Sequence, residues 1–82
     1  MSEIQKKFVQ QGFLYNSSHG SMSKRGSHKL DNFIKDSYVK FYDTKTEVYS
    51  QINESKNWNH YFFDEKYNLT FEEIVDEGDL FL

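Results

Sequence analysis

The segment Tyr38-Val39-Lys40-Phe41-Tyr42, then Asp43-Thr44-Lys45, then Thr46-Glu47-Val48-Tyr49-Ser50-Gln51-Ile52 decides the fold. Both arms are rich in β-branched and aromatic residues, which suit a pleated surface, and the polar triplet between them has turn composition. They read as a β-hairpin. Strand side chains alternate, so Val48 and Ile52 are expected to point inward and Glu47 and Gln51 outward.

Outward along the chain, Asn53-Glu54-Ser55-Lys56-Asn57 supplies a second turn and Trp58-Asn59-His60-Tyr61-Phe62-Phe63 a third strand. Thr70 followed by Glu73 has the spacing of a capping box, Leu69 and Ile74 that of a hydrophobic staple, and Gly78 that of a stop, so a helix is predicted over 70–77. Leu30, Phe33 and Ile34 at i, i+3 and i+4 predict another over 29–36, with Ser27 as N-cap. In residues 4–15, Ile4 and Phe8 fit a helix, whereas Val9, Phe13 and Tyr15 fit a strand. Gly12 favours a short helical or irregular start followed by an extended segment at Phe13 to Tyr15. The apolar tail Asp79-Leu80-Phe81-Leu82 is expected to fold back onto the sheet. The expected architecture is α+β: one domain, residues 1–82, with a three- to four-stranded antiparallel sheet packed with two short helices.

A chain of 82 residues buries only about 60–65% of its unfolded surface, and with no cysteine it has neither disulfides nor thiolate metal sites to add stability. Its core must come from aromatics: eight Phe, six Tyr and one Trp, each burying about 150–250 Å². No apolar run has signal-peptide length or approaches the roughly 20 residues of a membrane span, so a cytoplasmic protein, with no membrane partner, is expected. Sequons at Asn16, Asn53 and Asn68 reflect the abundance of Asn, Ser and Thr.

The net charge of −3 conceals a gradient. Residues 1–46 hold eight Lys/Arg and four Asp/Glu, a balance of +4. Residues 47–82 hold two and nine, a balance of −7. The basic half contains Ser17 to Lys29, a polar run that reads as a long loop with Gly20 and Gly26 to free its backbone. Lys24, Arg25, His28 and Lys29 cluster there, and Lys35 and Lys40 extend the cluster. Cations attract phosphate by displacing condensed counterions, and Tyr38 or Tyr42, together with Tyr15, would stack on unpaired bases. RNA or single-stranded nucleic acid is therefore the expected ligand, with a homodimer to double the basic surface. An ordinary solvated loop flanked by core aromatics accounts for the same residues.

The acidic half supports a rival: an inhibitor presenting Glu72, Glu73, Asp76, Glu77 and Asp79 on its C-terminal helix to a basic protein, in imitation of nucleic acid. Catalytic signals are slight. Asp64-Glu65-Lys66 has the carboxylate-x-Lys form of metal-dependent nucleases, but a charged strand end explains it more simply. His19, His28 and His60 lack metal-pair spacing on one element. No catalytic residue, metal or cofactor is expected.

In general character, with its Met1-Ser2-Glu3 start, no Pro or Cys, and dense Lys, Asn, Tyr and Phe, the chain resembles small accessory proteins of AT-rich bacteriophages. The resemblance implies a non-enzymatic inhibitor or antitoxin-like, anti-defence protein that binds a host or toxin protein, or RNA, in the host-cell cytoplasm.

Overall fold

The computed structural model describes residues 2–17 and 27–81. An α-helix, α1 (Glu3–Gln10), precedes five strands: β1 (Leu14–Asn16), β2 (Ser37–Phe41), β3 (Lys45–Gln51), β4 (Asn57–Asp64) and β5 (Leu69–Asp76). They form one antiparallel sheet whose spatial order follows the chain, β1-β2-β3-β4-β5. The protein is thus α+β. The described residues contain five strands, one α-helix and two 3-10 turns, Ser27–Leu30 and Glu77–Asp79, where three to four strands and two helices were expected.

Local chemistry sets both ends of α1. The Ser2 hydroxyl accepts from the Gln5 amide at 3.3 Å, and the Gln5 side chain accepts from the Ser2 amide at 2.9 Å, which is a capping box. At the other end Phe13 N–H donates to the Phe8 carbonyl and Gly12 N–H to the Val9 carbonyl, both at 3.0 Å. This is a Schellman stop with Gly12 in the left-handed region at φ 89°, sealed by an edge-to-face contact between Phe8 and Phe13 at 5.5 Å. Gly12 ends the helix, and the chain turns directly into β1.

The hairpin is as expected: Tyr38 pairs with Tyr49, Val39 with Val48 and Lys40 with Glu47. On one face, α1 and the returning tail cover Tyr38, Tyr49 and Trp58. Phe8 is fully buried there, stacked on Tyr38 at 4.2 Å, with Leu80 buried beside it and Phe81 half-buried. On the other face Leu30 and Ile34 cover Val39, Val48 and Phe63. Having covers on both faces corrects the expected alternation on β3. Thr46, Glu47, Val48 and Tyr49 are all buried, so Glu47 does not point to solvent.

Both expected helices over 29–36 and 70–77 are corrected. Leu30, Phe33 and Ile34 do pack on the sheet, but the 3-10 turn stops at Leu30, whose carbonyl then accepts from both Phe33 N–H at 2.7 Å and Ile34 N–H at 3.1 Å without a helix continuing. Side chains take the next carbonyls: Asn16 Nδ2 donates to Ile34 at 2.9 Å and the Ser37 hydroxyl lies against those of Phe33 and Lys35. Asp36, at φ 53°, then turns the chain into β2. Residues 70–77 are mostly strand. The Thr70 hydroxyl, instead of capping a helix, donates across to the Phe62 carbonyl at 3.1 Å, at a bulge where Phe62 pairs with Phe71 and Phe63 with Leu69. Capping contributes only about 1 kcal/mol, whereas pairing along the length of β4 satisfies a row of backbone groups and suits Thr70, Phe71, Ile74 and Val75.

Candidate functional site

The residues of the expected nucleic-acid site are spread over the fold. Lys24 and Arg25 lie outside the described residues. His28, Lys29 and Lys35 are exposed, and Lys29 Nζ approaches the Lys66 carbonyl at 3.4 Å. Lys40 folds along the sheet, donating to the Gln11 carbonyl at 2.7 Å and lying over the Tyr42 ring at 4.7 Å. The two tyrosines expected to stack are both packed against other side chains. Tyr38 is 5% exposed and covered by Phe8, and half-buried Tyr42 has the ammonium groups of Lys40 and Lys45 on its ring. Phe8 needs a flat partner under α1, and Tyr38 is that partner.

Asp64 organises the β4–β5 turn. Its Oδ1 accepts from the amides of Lys66 and Asn68, both at 2.9 Å, and its Oδ2 from Asn68 Nδ2 at 3.2 Å. The Asn68 backbone bond, foremost, holds its carboxyl below the usual aspartate range. That explains the Asp64-Glu65-Lys66 signal without a metal, and no group of three or more His, Cys, Asp or Glu among the described residues is placed to hold one.

Sequence reading missed a polar network across the centre of the sheet. Consecutive strands bring Glu47, His60 and Glu73 side by side: Glu47 Oε1 lies 2.8 Å from His60 Nε2, and Glu73 Oε2 lies 3.0 Å from Nδ1. The imidazole is buried, stacked on Tyr49 at 3.8 Å and tilted against Phe62 at 4.1 Å. Burial pushes Glu47 up, but hydrogen bonds from Tyr42 and His60 and the charges of Lys45 and His60 outweigh it, so its carboxyl sits below the usual glutamate range. The Tyr42 hydroxyl is pushed up to about 12 by burial and by its bond to Glu47. With both nitrogens engaged, His60 has none left for a substrate. Its effect is to tie the centre of the sheet to the edge strand. The three residues lie 13 positions apart in sequence, and only the strand register brings them together.

No family model, curated protein or solved structure matches the chain. The chemistry of the surface is left as the guide to function.

The most distinctive surface is β5. Among the described residues it pairs only with β4, so along its other side alternate N–H and C=O groups of an eight-residue strand have no partner among those residues. Leu69, Phe71 and Ile74 are 43%, 56% and 69% exposed. Phe71 packs on Phe62 at 5.6 Å on one face, while Ile74 lies on the other beside Asn59. The acids Glu72, Glu73, Asp76, Glu77 and Asp79 line this strand and the turn after it, with no Lys or Arg from Tyr67 onward. Glu72, Glu73 and Asp76 stand on a strand, and Glu77 and Asp79 on the 3-10 turn after it, not on the α-helix expected for all five.

Proposed function

We propose that the protein is a non-enzymatic binding protein, an acidic inhibitor whose partner adds a basic, extended segment as a further strand beside β5. The observation that carries this reading is the edge of β5, which combines backbone groups unpaired among the described residues, three exposed apolar side chains and, with the turn after it, five acids. In strand addition the main chain supplies affinity and alternate side chains supply selectivity. The charge selects the occupant: a second copy of β5 would oppose three acids to three, with Glu77 and Asp79 beside them, whereas Lys or Arg on the incoming strand would complement them. A ten-residue peptide alternating Lys with Val, titrated by fluorescence anisotropy, tests this. It is expected to bind, to protect the amides of residues 69–76 from hydrogen exchange, and to bind far more weakly once Glu72, Asp76, Glu77 and Asp79 become Ser or Gln. Binding without protection of those amides would refute the reading.

A second reading is supported by the exposure of His28, Lys29 and Lys35 after the basic loop. Here RNA or a single strand is held through Lys24, Arg25 and Lys29 with His28 assisting, in a homodimer that doubles the basic surface. Replacing Lys24, Arg25 and Lys29 with Ala should reduce the slope of log affinity against log salt by about two units, at roughly 0.7 per contact. An unchanged slope would remove the loop from consideration.

A further inference from the structure

We propose that the cleft between the first turn of α1 and the β3–β4 turn binds an organic cation, an ammonium or guanidinium group on an aliphatic stem. The cleft has a volume of about 580 Å³, within the range of small-molecule sites. Tyr15, Asp36, Tyr38, Gln51, Glu54 and Trp58 line it with the start of α1, and none of its described lining residues is Lys or Arg. Five stretches of chain converge there, and two of them bring a carboxylate.

The polar groups are arranged for a positive guest. Asp36 Oδ1 accepts from the Tyr15 hydroxyl at 3.0 Å, which leaves Oδ2 free, and the Glu54 carboxylate has no partner among the described residues. An anion would meet both charges, and at the start of α1 the capping box already engages the Ser2 and Gln5 amides. Tyr15, 54% exposed, offers its ring at the rim and meets Tyr38 at 5.2 Å and 58°, which makes an aromatic corner beside Asp36. A cation over that ring gains from the negative face of the π system while its stem lies along apolar surface. Tyr38 and Trp58, nearly buried, form the floor. The cleft and β5 share no residue, and the Trp58 indole N–H donates to Glu77 at 3.1 Å, so the Asp36 and Glu54 variant described below, which leaves the β5 acids intact, separates this inference from the function proposed above.

Trp58, the single Trp of the chain, reports directly on the cleft. The full chain is titrated with spermidine and with L-arginine amide while its Trp emission is followed, against sodium chloride of matched ionic strength. A saturable change beyond the salt control is expected. A response to spermidine alone identifies a free polyamine as the source of the cation, and a response to the amide alone identifies an arginine side chain. The double variant Asp36→Asn, Glu54→Gln should bind about tenfold more weakly through the loss of two partly exposed charge pairs, and Asn tolerates the left-handed backbone at position 36. Tyr15→Leu should weaken binding about threefold, and this change remains readable if the double variant does not fold. No response beyond the salt control, or equal responses from folded variants and the parent, would overturn the proposal.

Discussion

Glu47 is a buried acid whose ionised form the fold favours, through Tyr42, His60 and Lys45. Because its carboxyl is harder to protonate folded than unfolded, the unfolded chain takes up the proton first on acidification. The stability this provides is present above the ordinary glutamate value of 4.5 and is lost as pH falls through the lower folded value. Urea unfolding at neutral and acidic pH is expected to show that loss in the parent and a smaller one in Glu47→Gln. The variant should already be weaker at neutral pH by about 1–3 kcal/mol, because His60 loses an ionised partner in a buried setting.

Two elements carry the same capping pattern with opposite outcomes. At Ser2-Glu3-Ile4-Gln5 the box closes and α1 forms, whereas at Thr70-Phe71-Glu72-Glu73 the same spacing sits in a strand. The difference lies outside both segments. Without α1, Tyr38, Tyr49 and Trp58 would lack their cover, and without β5 the long strand β4 would have a bare side. Gly12 fixes how α1 reaches its place. A Cβ there would face φ 89° and meet the Lys40 side chain at 3.3 Å. Gly12→Ala should therefore cost about 1–2 kcal/mol, measurable as a lower urea midpoint with unchanged slope.

For the whole molecule, the meander turns sequence order into spatial order. The charge gradient along the chain then becomes a gradient across the sheet, with the acid-rich half forming the β4–β5 side. On the proposed function such a field would steer a basic partner towards β5 and would be screened by salt. Stopped-flow association of the Lys-Val peptide is expected to slow about tenfold between ~50 mM and ~500 mM salt, with a smaller change in dissociation rate.

The strand segments of residues 38–63, the aromatic core, the charge gradient and the return of the tail were legible in the sequence. Each depends on neighbours along the chain or on composition: alternating apolar residues pair once a turn joins them, and a small domain without cysteine has mainly rings to bury. The helical signals at Leu30, Phe33 and Ile34 identified the residues that pack but not their backbone, because Asn16 and Ser37 compete for the carbonyls a helix would use. The state of residues 70–77, the burial of Tyr38 and Glu47, the Glu47–His60–Glu73 network and the cleft beside Asp36 and Glu54 were decided only by tertiary structure. Local preferences near 1 kcal/mol are smaller than the combined gain from pairing a strand and covering both faces of a sheet, and that gain depends on residues far apart in the chain.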